Sequence, residues 1–552
     1  MTQSAQRAKY GRQVKAGKEQ LGVIGWGLIL VFIFQLAALC YFNFTQLRNH
    51  MGYDSSWNFL RSALMWQERA IISPNWSETT NLHLDTHMML TSLLYGLTGN
   101  ILLSFAIGNL LMVALLLLFL WKILGRLEVR WRARMIALNL LICPYLTTEF
   151  SLFNDLGYFS NILSGASYYT LRMLLALMII YEFMRILQEG KIGLLAGMIW
   201  LGCLLCGFSS GVFMIVILLL PYLVYEIEMT AIRNDWRQLW AKESLFAYLC
   251  CGFVVLGKLL AMKLVHFVAL DSSRTWTSLD HLWNNMGAVI QGFLKLLQVL
   301  PTVADDKPLM TVAGLARVFI LAVFAILLIG AVTVAVKALK GKIKHHQELL
   351  FLVNLVLVNF LVFSLYNVQY GALIFEERYL ILSFFAMAML TAVFFDGLEE
   401  RSVLSVLLSV AMAGSLFMVD VHSDYNYLRT THDAWPMDEI AQLAEAQEAG
   451  VVYMWGEDLS EIRRVMRVSD LKRIYKEIPD EGGYFTHWGD YLTYDDNEEY
   501  AGPTLLICDS EKQLVPAGVL AEYTLVDTLD YAVMDTAGQL AVYASDHNPR
   551  LW

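Results

Sequence analysis

The sequence predicts a polytopic α-helical membrane protein that ends in a small α/β soluble domain. Three observations carry that prediction. Of 552 residues, 57% are hydrophobic and only 16% charged, where soluble globular chains carry roughly a quarter charged. The apolar residues fall in long uninterrupted runs, and about 20 of them in a helix cross a hydrocarbon core of roughly 30 Å. Charge is also unevenly placed: a strongly acidic stretch follows about Val419, so the apolar part before it is net basic within an overall −10. An acidic tail of this kind excludes nucleic acid as a partner, because that needs clustered Lys and Arg.

Residues 1–20 are polar and basic and read as a cytoplasmic tail. The apolar stretch that follows, to about Phe44, is too long for the core of a signal peptide and lacks a small-residue cleavage site, so it is a first span. Spans are expected near 21–43, 100–122, 135–149, 167–187, 192–207, 209–226, 243–266, 311–336, 348–366, 379–395 and 403–419, about eleven in all. The placement of basic residues tests that count. With the N-terminus inside, the inner loops hold Arg126, Arg130, Arg132 and Arg134, then Lys191, then Arg233, Arg237 and Lys242, then Lys337, Lys340, Lys342 and Lys344. Each falls where alternation requires it; Glu399-Glu400-Arg401 is the least basic. An odd number of spans sends the C-terminal domain outside. The tightest turn is Gly207-Phe208-Ser209-Ser210-Gly211, between the fifth and sixth spans.

The chain thus divides into residues 1–20, a transmembrane domain over 21–419 and an extracytoplasmic α/β domain over 420–552. Its long outer segments are 45–99 and 267–310. The first contains two amphipathic stretches, Ser55–Arg69 and His83–Gly96, and the second contains Leu282–Leu300; all three are expected to lie along the membrane surface. In the tail, Val451–Met454 and Thr504–Cys508 read as buried strands and Leu459–Arg467 as a helix. Ala532–Met534 and Leu540–Tyr543 flank a hairpin turn at Asp535–Gln539. The tail shows no Gly-rich phosphate loop, nucleophile elbow or metal-spaced His/Cys cluster. Cys508 is its single cysteine, so no internal disulfide staples it. Cys203 and Cys206 form a CxxC inside an apolar run, with no second pair, and read as small core residues.

Few residues in such a chain are suited to chemistry. Asp54, in Gly52-Tyr53-Asp54-Ser55-Ser56-Trp57, follows the first span and opens the first amphipathic stretch. A carboxylate held there can act as a base toward a hydroxyl; it can equally be the N-cap of a helix beginning at Ser55. Arg378, in Glu376-Glu377-Arg378-Tyr379 at the mouth of the tenth span, offers a fork of donors to a phosphate, or anchors the helix at the interface together with Tyr379. Arg172, after Tyr168-Tyr169, and Lys258 lie within spans, where charge is costly and marks a polar cavity or substrate path. Asp155 is a second loop carboxylate. His83, Asp85 and His87 would gather along one side if helical, and two imidazoles with a carboxylate are chemically adequate for a divalent metal. No further ligand stands near them in sequence, so a metal stays an open alternative and no cofactor is assigned.

Taken in order along the chain, these positions resemble the GT-C superfamily of polyprenyl-phosphate-sugar-dependent glycosyltransferases, most closely the bacterial protein-mannosyltransferase and aminoarabinose-transferase type. The resemblance rests on Tyr53-Asp54-Ser55-Ser56-Trp57, on His83–Asn100 with its end Leu94-Tyr95-Gly96-Leu97-Thr98-Gly99-Asn100, on Ser167-Tyr168-Tyr169-Thr170-Leu171 and on Glu377-Arg378-Tyr379-Leu380. Where the family often has a second acidic residue beside the Asp, this chain has Ser55; where relatives carry prolines, it has Asp85-Thr86-His87. The resemblance implies a lipid-phosphate-linked sugar entering from the bilayer. Its phosphate would be gripped by Arg378, Lys258 and Arg172, with Asp54 as base on the acceptor hydroxyl and Asp155 as a supporting carboxylate. Trp57, His83, Asp85, His87, Glu377 and Tyr379 would line the substrate path. Partners would be membrane lipid, the polyprenyl-phosphate sugar and a lipid, glycan or protein acceptor on the outer face. The lack of paired cysteines and of a eukaryotic targeting signal favours a bacterial plasma membrane.

The rival class is a transporter or flippase of lipid-linked or amphiphilic solutes, since polar residues inside spans serve both. Transporters often show internal repeats and matching broken helices, and the sequence shows no convincing repeat. A third class is a non-catalytic assembly or sensor protein whose tail binds a surface ligand.

Overall fold

The structure, a computed structural model, describes residues 22–50, 53–72, 81–146, 157–165, 167–265, 274–276, 279–300, 310–369, 372–373, 376–398, 402–430, 436–456, 459, 466, 470, 473–478, 500–511, 515–533 and 536–549. The chain begins with α1 (Val23–Tyr41), which runs through a π-helical turn (Phe42–Gln46) and a 3-10 turn (Leu47–His50) toward α2 (Tyr53–Glu68). Next come α3 (Met88–Thr98), α4 (Ile101–Arg126), α5 (Trp131–Ile142), α6 (Thr170–Glu189) and α7 (Leu195–Ser210). They are followed by α8 (Leu220–Arg233, entered through the π-helical turn Ile215–Leu219), α9 (Lys242–Leu264), the short β1 (Arg274–Trp276), α10 (Leu282–Leu296), α11 (Val312–Leu339) and α12 (His346–Leu365). The bundle closes with β2 (Tyr366–Gln369), β3 (Ala372–Leu373), α13 (Ile381–Asp396, entered through the 3-10 turn Glu377–Leu380) and α14 (Val403–Thr430).

This is a multi-pass membrane protein. Among the described residues, eight helices are long and apolar enough to cross a bilayer: α1, α4, α8, α9, α11, α12, α13 and α14, some extended by their adjoining turns. The other three expected spans are α5, α6 and α7. Of these α5 and α7 are short, with 12 and 16 residues. The third, α6, carries Arg172, Glu182, Arg185 and Glu189 on an otherwise apolar frame. These charges are matched inside the protein: Arg185 pairs with the fully buried Glu182 at 2.8 Å, which also accepts from the Gly193 amide at 2.7 Å.

The centre of the bundle is α13, buried almost residue by residue, with α11, α12, α5, α4 and α6 packed around it. Phe384 meets Tyr145 and Tyr158 edge-on at 5.8 and 5.3 Å. The closest helix crossing joins α7 to α9. A Cβ on Gly207 would stand 2.0 Å from the Val254 carbonyl oxygen, and one on Gly257 would stand 2.2 Å from that of Leu204. Only glycine permits that approach. The turn expected between the fifth and sixth spans forms at Gly211, whose φ of +66° is left-handed.

Beyond the bundle, α15 (Met437–Ala446) leads into a five-stranded sheet made of β4 (Val451–Trp455), β5 (Ile474–Ile478), β6 (Thr504–Asp509), β7 (Thr524–Val533) and β8 (Thr536–Ser545), with a one-turn α16 (Ala517–Leu520) between β6 and β7. The order is β5-β4-β6-β8-β7, with β4 parallel to both its neighbours and the β6–β8–β7 part antiparallel. Strands β4 and β6 are apolar on both faces because both are covered. The hairpin is longer than expected and its turn tighter. Pairing runs down to Val533↔Thr536, so Thr536–Gln539 belong to β8 rather than to a loop. The edge strand β5 was not foreseen, and most of the expected helix Leu459–Arg467 lies outside the described residues.

Candidate active site

The end of the bundle nearest the C-terminal domain gathers an unusual number of buried charges. Helix α2 is amphipathic, and its buried face holds Phe59, Leu60, Ala63 and Leu64. On that same short helix Arg61 and Ser62 are buried as well. Asp54 and Trp57 fall in its opening turns, while their side chains lie outside the described residues. Because the helix starts at Tyr53, Asp54 sits inside the first turn rather than at the cap expected for a helix starting at Ser55. Asp155 also lies outside the described residues.

The segment expected to be helical from His83 instead forms a turn, with helix only from Met88. Its backbone is drawn onto α7. The Leu82 amide donates to the Ser209 carbonyl at 3.1 Å, and the Asp85 amide to the Ser209 hydroxyl at 3.2 Å. That hydroxyl in turn donates to Asp85 Oδ1 at 2.7 Å. The fully buried Asp85 is then gripped by Arg172 through two nitrogens, Nε to Oδ2 at 2.7 Å and Nη2 to Oδ1 at 3.0 Å. Such a fork-to-carboxylate pair fixes both groups. The Cys206 thiol, read from sequence as a core residue, lies against the same carboxylate.

Aromatic rings wall the guanidiniums. Arg172 stands 5.0 Å from the Tyr169 ring centre and 5.5 Å from that of Phe213. Arg378 stands 5.9 Å from the same Tyr169 ring and pairs with Glu376 at 2.7 Å. Tyr379 continues the wall, 5.9 Å from Phe213 and 5.4 Å from Phe363. Glu377 is buried beside Arg378 and near Lys295 of α10. Lys258, from α9, runs along Gly211 at the edge of this group.

His83 stands among these charges with a left-handed φ of +52°, a conformation uncommon for a non-glycine residue. Its ring lies 5.4 Å from that of Tyr168, and its Nδ1 is buried with no hydrogen-bond partner among the described residues. Burial first, and then the positive charge of Arg172, Arg61 and Arg378, hold its pKa well below the usual 6.5, so the ring is neutral. His87 turns the other way, onto α4: its Nδ1 is 2.9 Å from the Thr91 hydroxyl and its ring is edge-on to Phe105 at 4.3 Å. Burial pushes its pKa down to about 4. His83, Asp85 and His87 therefore do not converge. Among the described residues no three His, Cys, Asp or Glu side chains are placed to hold a metal ion.

The structure thus brings together His83, Asp85, Arg172, Arg378, Glu377 and Tyr379, sets Lys258 at their margin, and directs His87 elsewhere. Arg61, Ser209, Glu376 and Phe213 complete the group and were not singled out by sequence. Arg61 left one trace, a charge among the buried apolar positions of an amphipathic helix. Ser209 left none, because its role depends on a turn 124 positions away.

No protein-family model and no curated protein sequence matches the chain. Solved structures do. ArnT from Cupriavidus metallidurans in the apo state superposes with a TM-score of 0.53 at 13% identity, covering 94% of this chain and 98% of that one. The same protein bound to undecaprenyl phosphate gives a TM-score of 0.52 at 12% identity, covering 96% and 99%. The fold is therefore shared with ArnT over nearly the whole length of both chains.

Proposed function

We propose that this protein is a membrane glycosyltransferase that moves a sugar from a polyprenyl-phosphate carrier to an acceptor on the outer face of the membrane. The observation that carries the reading is the convergence of Arg61, Arg172 and Arg378 on the neutral His83, beside aromatic walls at the end of a lipid-embedded bundle. Arg172 and Arg378 are each paired with a carboxylate, Asp85 and Glu376, and stand with the buried Arg61 in one group. Guanidiniums fixed in this way suit a lipid phosphate, whose charge grows as it leaves the anomeric carbon. Fixed donors in a dry site need no reorganisation at that moment, which is where such stabilisation is strongest. The Nδ1 of His83, which has no hydrogen-bond partner among the described residues, would give the same ligand one more polar contact.

In this reading the acceptor hydroxyl attacks the anomeric carbon while the carbon–oxygen bond to the lipid phosphate breaks, with inversion. Asp54 takes the hydroxyl proton, and Asp155 supports it. Lys258 and Tyr379 border the lipid's entry, and the N-terminus lies inside with the C-terminal domain outside, in a bacterial plasma membrane. The fold shared with ArnT, a protein solved with undecaprenyl phosphate bound, supports the choice of carrier.

The test is sugar transfer by membranes supplied with a panel of polyprenyl-phosphate sugars, comparing wild type with Asp54→Asn and Arg378→Ala at matched expression. Transfer is expected from wild type alone, with undecaprenyl phosphate binding kept in Asp54→Asn and weakened in Arg378→Ala. Unchanged transfer by Asp54→Asn would move the base elsewhere. Lipid-phosphate binding without transfer by any protein, across the whole panel, would favour a flippase.

A further inference from the structure

The C-terminal domain meets the bundle at the root of α2. One apolar cluster holds Leu47, Phe59, Leu60, Ala63 and Leu64 together with Met437, Ile440 and Ala444 of α15, and continues into Val452 and Leu505 of the sheet. At its edge Arg48 Nη1 donates to Asp438 Oδ1 of α15 at 2.6 Å, five residues before α2 begins. On its bundle side α2 stacks Phe59 on Phe105 at 3.9 Å. The helix is therefore held between α4 and the soluble domain. A second tie comes from α14, whose far end brings Tyr427 to 4.2 Å from Phe42, in the π-helical turn that leads to α2.

These contacts matter because of what α2 carries. It is a 16-residue amphipathic helix, and such helices draw most of their stability from packing rather than from intrinsic propensity. Its buried apolar residues belong to the same cluster as those of α15, and the buried Arg61 lies within electrostatic reach of His83. A displacement of about 1 Å in a reacting or binding group is enough to cost a hundredfold in rate.

We propose that the C-terminal domain is a positioning element of the active site. Through α15, by the Arg48–Asp438 pair and the shared apolar cluster, it fixes α2 so that Arg61 keeps its place in the group with Arg172 and Arg378. The identity of the positioned groups rests on the glycosyltransferase reading; the clamp itself does not. An acceptor-capturing domain, by contrast, would leave α2 indifferent to the Arg48–Asp438 contact.

The experiment uses the full-length protein in lipid nanodiscs, with Arg48→Glu, Asp438→Arg and the charge-swapped double variant. Deuterium exchange of the amides over 53–68 reads the clamp, and undecaprenyl phosphate binding reads the site. Like charges forced together at this junction are expected to speed exchange in α2 and weaken lipid-phosphate binding by about three- to tenfold in each single variant. Exchange in β4 and β6 should stay slow, and the double variant should recover both readouts. Unchanged exchange in α2, or a double variant no better than the singles, overturns the proposal. If wild type fails to bind undecaprenyl phosphate, the glycosyltransferase reading falls, and the exchange data still decide the clamp.

Discussion

At the scale of single residues, the site is governed by the cost of burying charge. Asp85 and Arg172 are both buried, and each is the other's closest counter-charge. Replacing Asp85 with Asn leaves the guanidinium without that partner, which typically costs about 3–5 kcal/mol. The expected result is a large drop in the thermal unfolding midpoint of the purified protein. Arg172→Lys keeps the charge but loses the fork, so it should recover only part of the loss. The histidines give a second prediction. His83 and His87 are held neutral, so below pH 6.5 the unfolded chain binds protons that the folded chain refuses. Stability therefore falls as pH drops from 6.5 to about 4, where His87 itself takes a proton. For His87 alone that window is worth about 3 kcal/mol. Unfolding midpoints measured between pH 7 and 4 should show the slope, and His87→Gln should flatten it.

At the scale of elements, close approaches and polar ties fix how the helices stand. The α7–α9 crossing admits no side chain at Gly207 or Gly257, where a Cβ would meet backbone rather than a movable group. Gly257→Ala should therefore cost about 1–3 kcal/mol or more and shift Ser209 away from Asp85, read as lower stability together with weaker lipid-phosphate binding. Two π-helical turns, Phe42–Gln46 and Phe159–Leu163, are tied by side-chain amides. Asn43 and Asn109 both donate to the Leu163 carbonyl, at 3.0 and 2.6 Å, and Asn109 donates to Asn43 at 2.9 Å. Asn109→Leu takes the donor from the buried Asn43 oxygen and leaves the Leu163 carbonyl with Asn43 alone, a loss of about 1–3 kcal/mol by the usual penalty for one unpaired group, measurable by thermal unfolding. Sequence placed these helices well because each is a local run of apolar residues. It misplaced the start of α3 because the turn at His83–His87 is held by α6 and α7, and no local pattern encodes a partner 87 or 124 positions away.

At the scale of the whole molecule, α14 runs to Thr430, and its far end is wedged by Tyr427 against Phe42 and Phe159, at 4.2 and 5.3 Å. Tyr427→Ala should cost about 3–5 kcal/mol, as for other large buried side chains, and should speed deuterium exchange at the Phe42–Gln46 turn. The span pattern, the terminal α/β domain and the candidates Arg172, Arg378, His83 and Asp85 are all legible in the amino-acid sequence. They are legible because a bilayer obliges each crossing to satisfy its own backbone within one continuous apolar helix, and because a charge placed among such runs stands out. Which charges meet is not legible there. The pairing of Asp85 with Arg172, the recruitment of Arg61 and Ser209 and the docking of α15 on α2 arise where distant segments pack. Burial there raises the cost of every unmatched charge, so the partners are selected by three-dimensional proximity, which no stretch of sequence records.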